Sequence, residues 1–244
     1  MVNNIGRRLL DGLFPHHCAL CGLRSDRDAP LCLACELEMP LNQSCCARCA
    51  LPLPPTGQPS ATRICGVCQQ TPPVFERVIA PWLYDEYFAH LIHLWKYQRE
   101  QYLTPLLASL WLQRAQWQEE PLDLLVPVPL HWRRRWQRGF NQSELLCRQL
   151  QATCPELKSC TIADRLVKRQ RSTAAQSGMS ARQRAGNLKG AFTVFKPCDN
   201  LRIAIVDDVM TTGATATALA RALSAAGARH IEVWCLARTP APDF

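Results

Sequence analysis

Four Cys-x-x-Cys pairs within the first 70 residues constrain the fold of this 244-residue chain more than any other feature. They form two sets, Cys18-x2-Cys21-x10-Cys32-x2-Cys35 and Cys46-x2-Cys49-x15-Cys65-x2-Cys68. Each set joins two tight turns that hold two thiolates apiece, the spacing tetrahedral zinc requires. Three other chemistries are open to the same residues. Disulfides need an oxidising compartment. Redox Cys-x-x-Cys chemistry needs one pair at a helix start, and four pairs overshoot that need. Iron also accepts thiolates, although this spacing resembles no common ferredoxin pattern. Magnitude favours zinc. A Pro-rich module of about 70 residues rarely gains more than about 3–5 kcal/mol from its core, whereas a structural zinc site contributes on the order of 10–16 kcal/mol. The expectation is one or two structural zinc ions on these eight cysteines. Whether Cys45 or Cys46 opens the second set is undecided at this level. His16 and His17 are surplus to eight well-spaced thiolates.

The other six cysteines (Cys45, Cys147, Cys154, Cys160, Cys198, Cys235) read as small buried hydrophobes. Hydrophobic residues make up 48% and charged residues 20%, the balance of an ordinary globular chain. No apolar run reaches the roughly 18 residues of a membrane span. The opening "MVNNIGRRLLDGLFPHHC" has arginines where a signal peptide needs an apolar stretch, so it reads as retained. Its Ile5, Leu9, Leu10 and Leu13 suggest a short amphipathic helix, and the protein is expected in the cytoplasm. "LPLPPTGQPSATR" (51–63) is a surface loop, and the prolines of "QQTPPVF" (69–75) mark a boundary. The expected division is a zinc module over 1–72 and a second domain over 73–244.

Beyond that boundary helical and strand patterns alternate. "YFAHLIHLWKYQREQYL" is helical, with Thr104 as a cap before Pro105 opening the next helix. "DLLVPVP" (123–129) is a short buried strand, and Asn141 with Glu144 forms a capping box before "QSELLCRQLQ". "LRIAIVDD" is a strand, Thr215 to Ala226 a helix stopped by Gly227, and "HIEVWCLAR" (230–238) a last strand. This alternation predicts an α/β fold whose parallel sheet carries helices on both faces.

The stretch "IAIVDDVMTTGATATAL" (203–219) ends an apolar strand on two carboxylates. A strand running into a small, polar, Gly-containing turn and then a helix makes an anion site from backbone N–H groups and the helix dipole. Thr211, Thr212 and Thr215 add hydroxyls, and Gly213 admits close approach. Asp207 and Asp208 would repel a phosphate, so they suit neighbouring hydroxyls such as a ribose diol, or magnesium. A phosphate beside a diol is a ribose 5-phosphate.

This order of residues resembles the phosphoribosyl-pyrophosphate (PRPP) motif of type I phosphoribosyltransferases. The resemblance implies that Asp207 and Asp208 hold the ribose hydroxyls, that Thr211, Thr212, Gly213, Ala214 and Thr215 hold the 5-phosphate, and that magnesium accompanies PRPP. It also implies that "VPVP" (126–129) is a pyrophosphate-binding turn carrying Val128 and Pro129. "VPVPLHWRRRWQRGFNQSELL", the cysteine sets and "STAAQSGMSARQRAGNLKGAF" together resemble the ComF family, in particular its GntX-like DNA-utilisation branch. On that pattern Arg138, Gly139, Phe140, Asn141 and Gln142 form a signature beside the pyrophosphate turn. Thr173, Gln176, Arg182 and Asn187 fall on a flexible loop that closes over PRPP. Members are associated with natural transformation or with DNA as a nutrient, which implies protein partners of DNA uptake.

Residues 131–190 hold 13 Lys/Arg against 3 Asp/Glu, a local surplus larger than the net +8 of the whole chain. An anionic partner is expected. Within this stretch Trp132, Arg133, Arg134, Arg135 and Trp136 interleave aromatic and basic groups, which suits single-stranded nucleic acid, the pyrophosphate of PRPP, or a solvated loop with its tryptophans packed on the sheet. Three functions stay open: a working transferase using Mg-PRPP and a nitrogen base, a PRPP- or DNA-binding protein without turnover, and a scaffold docking a partner. Transferases of this fold usually add a base-reading hood. Here the zinc module is the only candidate hood, and nothing in it reads as a base pocket.

Overall fold

The computed structural model describes residues 16–25, 27–55, 62–117, 120–170 and 190–241. The expected N-terminal amphipathic helix and the loop residues Thr173, Gln176, Arg182 and Asn187 lie outside the described residues. Two short helices, α1 (Leu33–Glu38) and α2 (Gly66–Gln70), precede the edge strands β1 (Arg77–Ile79) and β2 (Trp82–Leu83). Helices α3 (Glu86–Tyr97) and α4 (Leu103–Arg114) lead to β3 (Leu124–Pro127), and α5 (Trp132–Arg138) and α6 (Gln142–Thr153) lead to β4 (Thr161–Ile162). An antiparallel ribbon of β5 (Val167–Arg169) and β6 (Phe192–Val194) comes before β7 (Arg202–Met210), α7 (Ala214–Ala225) and β8 (His230–Arg238).

Every pairing in the main sheet is parallel, in the order β1-β8-β7-β3-β4, with β2 following β1 along the same edge of β8. Strand alternation sorts the side chains. Ala204, Val206, Trp234 and Leu236 join one core with Leu91, Trp95, Leu107 and Trp111 from α3 and α4. Ile203, Ile205, Val233 and Cys235 join the other with Leu219 and Leu223 from α7. Both faces are therefore apolar and helix-covered, as the unbroken hydrophobic strands predict. Among the described residues no helix is long and apolar enough to cross a membrane.

Local signals mostly hold, with three physical differences. Asn141 caps α6, its side chain accepting from Ser143 N at 3.1 Å. Glu144 does not close the expected box; it takes Arg148 at 2.9 Å and Arg135 at 3.4 Å instead. The helical pattern from Tyr87 to Leu103 breaks after α3, where Arg99 adopts φ 62°. Helix α4 begins at Leu103, so Thr104 is not its cap. Thr104 is buried and accepts a hydrogen bond from the Trp95 indole at 3.0 Å, while Pro105 keeps a first-turn place where its missing N–H is harmless.

The cysteine-rich region shares the cores of the sheet. Cys18, Leu31 and Met39 lie in the first core and Ala50 in the second. It also covers the β1–β2 edge: Val78 N donates to Arg48 O at 2.8 Å, Leu83 N to Pro40 O at 3.0 Å and Asn42 N to Pro81 O at 2.7 Å. Asn42 is buried, and its Nδ2 donates to the Ala50 carbonyl at 2.9 Å and the Ala80 carbonyl at 3.1 Å. Replacing Asn42 by Ala orphans both carbonyls at a cost of about 1–3 kcal/mol. Thermal unfolding of Asn42→Ala should drop by roughly 2–4 °C per kcal/mol lost; an unchanged midpoint would contradict this anchoring role.

Candidate functional site

The eight paired cysteines gather into two clusters, Cys18/Cys21/Cys32/Cys35 and Cys46/Cys49/Cys65/Cys68, with the sulfurs of each within 4.8 Å of one another. Each ribbon is built the same way. A first turn carries the leading pair and turns over on a left-handed residue, Gly22 at φ 73° or Ala50 at φ 53°. The third cysteine, Cys32 or Cys65, then caps a short helix that brings in the fourth. Sulfur separations of 3.9 Å (Cys21–Cys32) and 3.7 Å (Cys49–Cys65) fit the tetrahedral edge of about 3.8 Å set by Zn–S bonds near 2.3 Å. The donor set fits two zinc ions. Cys46, and not Cys45, supplies the second cluster. Cys45 packs against the sheet core and bridges to Pro52. His16 points to Asp28 at 3.5 Å and ligates nothing in either cluster.

At the carboxyl end of the sheet, β7 runs past β3, whose last partner is Pro127 opposite Val206. Asp207 and Asp208 therefore stand at the rim, the place where open α/β sheets bind ligands. Asp208 is buried, and its Oδ2 takes Lys96 Nζ at 2.5 Å and Gln142 Nε2 at 2.9 Å. Its Oδ1 accepts from Val209 N at 2.6 Å. Asp207 Oδ1 accepts from Asp208 N at 2.9 Å and from Ser143 Oγ at 3.3 Å. Burial, and then the charge of Asp208, push the Asp207 carboxyl up to about 7, with Lys96 opposing.

Asp207, Thr211, Thr212, Gly213, Ala214 and Thr215 line one small concavity where α7 begins. Gly213 takes φ 75°, a left-handed conformation that strains any side chain, whereas the Met210 Cε that a Cβ would meet at 2.5 Å is the tip of a flexible side chain; the turn needs glycine for its backbone. Arg138 reaches the same rim: its Nη1 donates to Gln142 Oε1 at 2.5 Å, and its guanidinium lies 5.3 Å from the Tyr97 ring centroid. Asn141 Nδ2 holds the Val128 carbonyl at 3.2 Å, which places the Val128–Pro129 turn beside it. Asp207, Asp208, the 211–215 turn, Val128, Arg138, Asn141 and Gln142 thus converge, together with three residues whose part did not stand out in sequence. Lys96 has the bland reading of a cation in the last turn of a helix. Ser143 reads as a second capping hydroxyl. Lys168, Arg169 and Arg171 could each reach the pyrophosphate by sequence and none stands out; in the structure burial and Arg134 lower the Arg169 pKa while Asp207 opposes, which places Arg169 in the field of Asp207.

The basic stretch folds as α5, capped by His131, with no buried residue. Trp132 and Trp136 are 65% and 85% exposed and lie one turn apart on one face, so they do not pack on the sheet. Arg133 stacks 5.3 Å from the Trp132 centroid. Arg99 ties the helix down through the Gln137 carbonyl at 2.8 Å.

Residues 9–71 match the family model of the double zinc ribbon domain. Over 214 residues the chain is 39% identical to a DNA utilization protein of Salmonella typhi, covering 86% of this chain and 90% of the relative. It is 37% identical over 215 residues to the DNA utilization protein of Escherichia coli K12, with the same coverage. It is also 34% identical over 185 residues to competence protein F of Haemophilus influenzae, covering 71% of this chain and 78% of that protein.

Two outcomes are expected. Metal analysis of purified protein should give about two zinc per chain, falling by half in Cys46→Ser and unchanged in Cys45→Ser; iron, or a folded metal-free chain, would overturn the assignment. The raised Asp207 pKa makes the protonated carboxyl the one the fold prefers. Its stabilisation is complete below the unfolded value of 3.8 and is lost as pH rises through about 7. Asp207→Asn keeps an acceptor for Ser143 and Asp208 N but never ionises. Its gain in melting temperature should therefore grow from pH 4 to pH 7 and level off above; a pH-independent difference would refute the shift.

Proposed function

This chain belongs to the family of the DNA utilization proteins and competence protein F, and we propose that it serves DNA uptake or use through a phosphoribosyltransferase-like site that binds Mg-PRPP. The observation that carries this reading is the Asp207–Asp208 pair, held by Lys96, Gln142 and Ser143 above the 211–215 turn. On this reading the carboxylates take the ribose hydroxyls. The first N–H groups of α7 and the threonine hydroxyls take the 5-phosphate. Val128, Pro129 and Arg138 face the pyrophosphate, and Arg134 and Arg169 add positive charge to the same field. Magnesium, when bound, neutralises part of the pyrophosphate charge. Residues 1–72 act as the zinc module, residues 73–244 as the ligand-binding domain, and the protein works in the cytoplasm.

Trp132 and Trp136 support a second contact, with single-stranded DNA. Exposed indoles stack on bases of any sequence, and the arginines between them neutralise phosphates. Transfer of the phosphoribosyl group to a nitrogen base is the alternative use of the same pocket. It is favoured by the arginines gathered where pyrophosphate would depart.

Calorimetry with Mg-PRPP and pyrophosphate release across a panel of bases and single-stranded oligonucleotides test these readings together. The Asp207→Asn/Asp208→Asn variant should lose at least about tenfold in PRPP affinity, since charge-assisted hydrogen bonds contribute about 1.5–3 kcal/mol each. Trp132→Ala/Trp136→Ala should weaken oligonucleotide binding by roughly 10–100-fold with PRPP binding intact. Wild-type protein that binds no PRPP would end the first reading, and oligonucleotide binding insensitive to salt would end the second.

A further inference from the structure

Arg238, the last residue of β8, is only 5% exposed. Its guanidinium donates through Nε to the Cys49 carbonyl at 3.1 Å and through Nη1 to the carbonyls of Met210 at 3.0 Å, Thr239 at 2.8 Å and Thr211. Cys49 is a ligand of the second cysteine cluster, and Met210 and Thr211 open the turn before Gly213. One side chain thus grips the second ribbon and the anion turn at once. Among the described residues no carboxylate lies within ion-pair distance of Arg238. A buried cation needs compensation. A zinc ion on four thiolates carries about two negative charges, and that centre includes Cys49 itself. Among the described residues the first cluster has no comparable tie: Cys18 and its neighbours pack into the opposite core, on the face covered by α3 and α4.

We propose that Arg238 is a positioning residue through which the second zinc centre, and not the first, sets the shape of the 211–215 turn. Arg238 bonds the Cys49 carbonyl, whose place the knuckle fixes, and zinc on the four thiolates would leave that centre with the negative charge that compensates the guanidinium. Arg238 then holds the Met210 and Thr211 carbonyls, so that the following N–H groups face the concavity. Zinc occupancy of one ribbon and ligand affinity at the turn become linked quantities. By reciprocity, a ligand on the turn tightens zinc in that ribbon by the same factor. The ligand half of this inference rests on the PRPP reading; the link between metal and turn does not.

Hydrogen exchange by mass spectrometry on the full-length zinc protein tests it, with peptides over 207–219 as the probe and the β3 peptide as control. Cys65→Ser empties the second centre, Cys32→Ser the first, and Arg238→Gln cuts the tie with both metals present. Cys65→Ser and Arg238→Gln should each speed exchange across 207–219 by at least about fivefold, as loss of one or two hydrogen bonds implies, with β3 unchanged. Cys32→Ser should leave 207–219 as in wild type, and Arg238→Lys should restore part of the protection. If a variant does not fold, graded chelation of the wild type gives the same comparison, because each ribbon's own peptides report which zinc has left. Equal effects from both centres, or none from either, would overturn the proposal. In a second arm, Mg-PRPP should slow zinc release from the second centre alone. Absence of PRPP binding by calorimetry would instead refute the ligand reading, leaving the exchange result to decide the link.

Discussion

A carboxylate at the end of a buried strand must be met by donors brought from elsewhere, and the arrangement around Asp208 follows from that requirement. An isolated ionised group in a low-dielectric interior is too costly to keep. Asp208 is met by Lys96 from the end of α3, Gln142 from the first turn of α6, and the amide of Val209. Meeting those partners fixes how both helices seat on the sheet. Trp95, next to the lysine, is locked by its bond to Thr104, so α3 and α4 are oriented by the same contact. Asp207 receives less help, and its carboxyl rises toward neutrality in consequence. Two adjacent residues of the same type are thereby placed differently: Asp208 among three donors that include a lysine, and Asp207 where burial and the neighbouring carboxylate raise its pKa to about 7.

The strand β7, its turn and α7 were legible in sequence because every determinant is local: an apolar run, two acids, a glycine at a left-handed position, then a helix. The cysteine sets were legible because ligand spacing is a local code, although one or two ions fitted it in sequence and the two separate clusters decide for two sites. Decisions made by distant contacts were not legible. Gln142 and Asp208 lie 66 residues apart, and nothing in either segment announces the other. Cys45 and Cys46 differ only in which thiol faces the cluster, a choice made by strand-like pairing of Cys45 with Pro52. Thr104 has the chemistry of a cap and was read as one, but the deeper bond to Trp95 claims its hydroxyl. Helix α5 was ambiguous for another reason. Tryptophans interleaved with arginines fit a packed or an exposed face equally well, and only the exposure of both indoles among the described residues settles which.

The two ribbons repeat one local design yet meet the sheet differently. The first contributes Cys18, Leu31 and Met39 to the core beneath α3 and α4, and so behaves as an additional layer of that core. The second lies against the β8 side, where Arg238 bonds its backbone across a separation of 189 residues. The repeated motif thus gives one ribbon that packs into the core and one in contact with the rim that carries Asp207 and Asp208.

The covering of the β1–β2 edge has a consequence for the fate of the chain in the cell. An open strand edge is a template for pairing with another molecule, and natural sheets shield such edges. Here the shield is not a helix or a run of charges but the backbone of metal-dependent turns, with Arg48 and Pro40 occupying the edge of β1 and β2. The far edge, β4, is only two residues long and offers little to pair with. Metal starvation would therefore be felt first as a loss of solubility: stripped of zinc, the chain presents a sticky apolar border to its neighbours while its central strands are still intact.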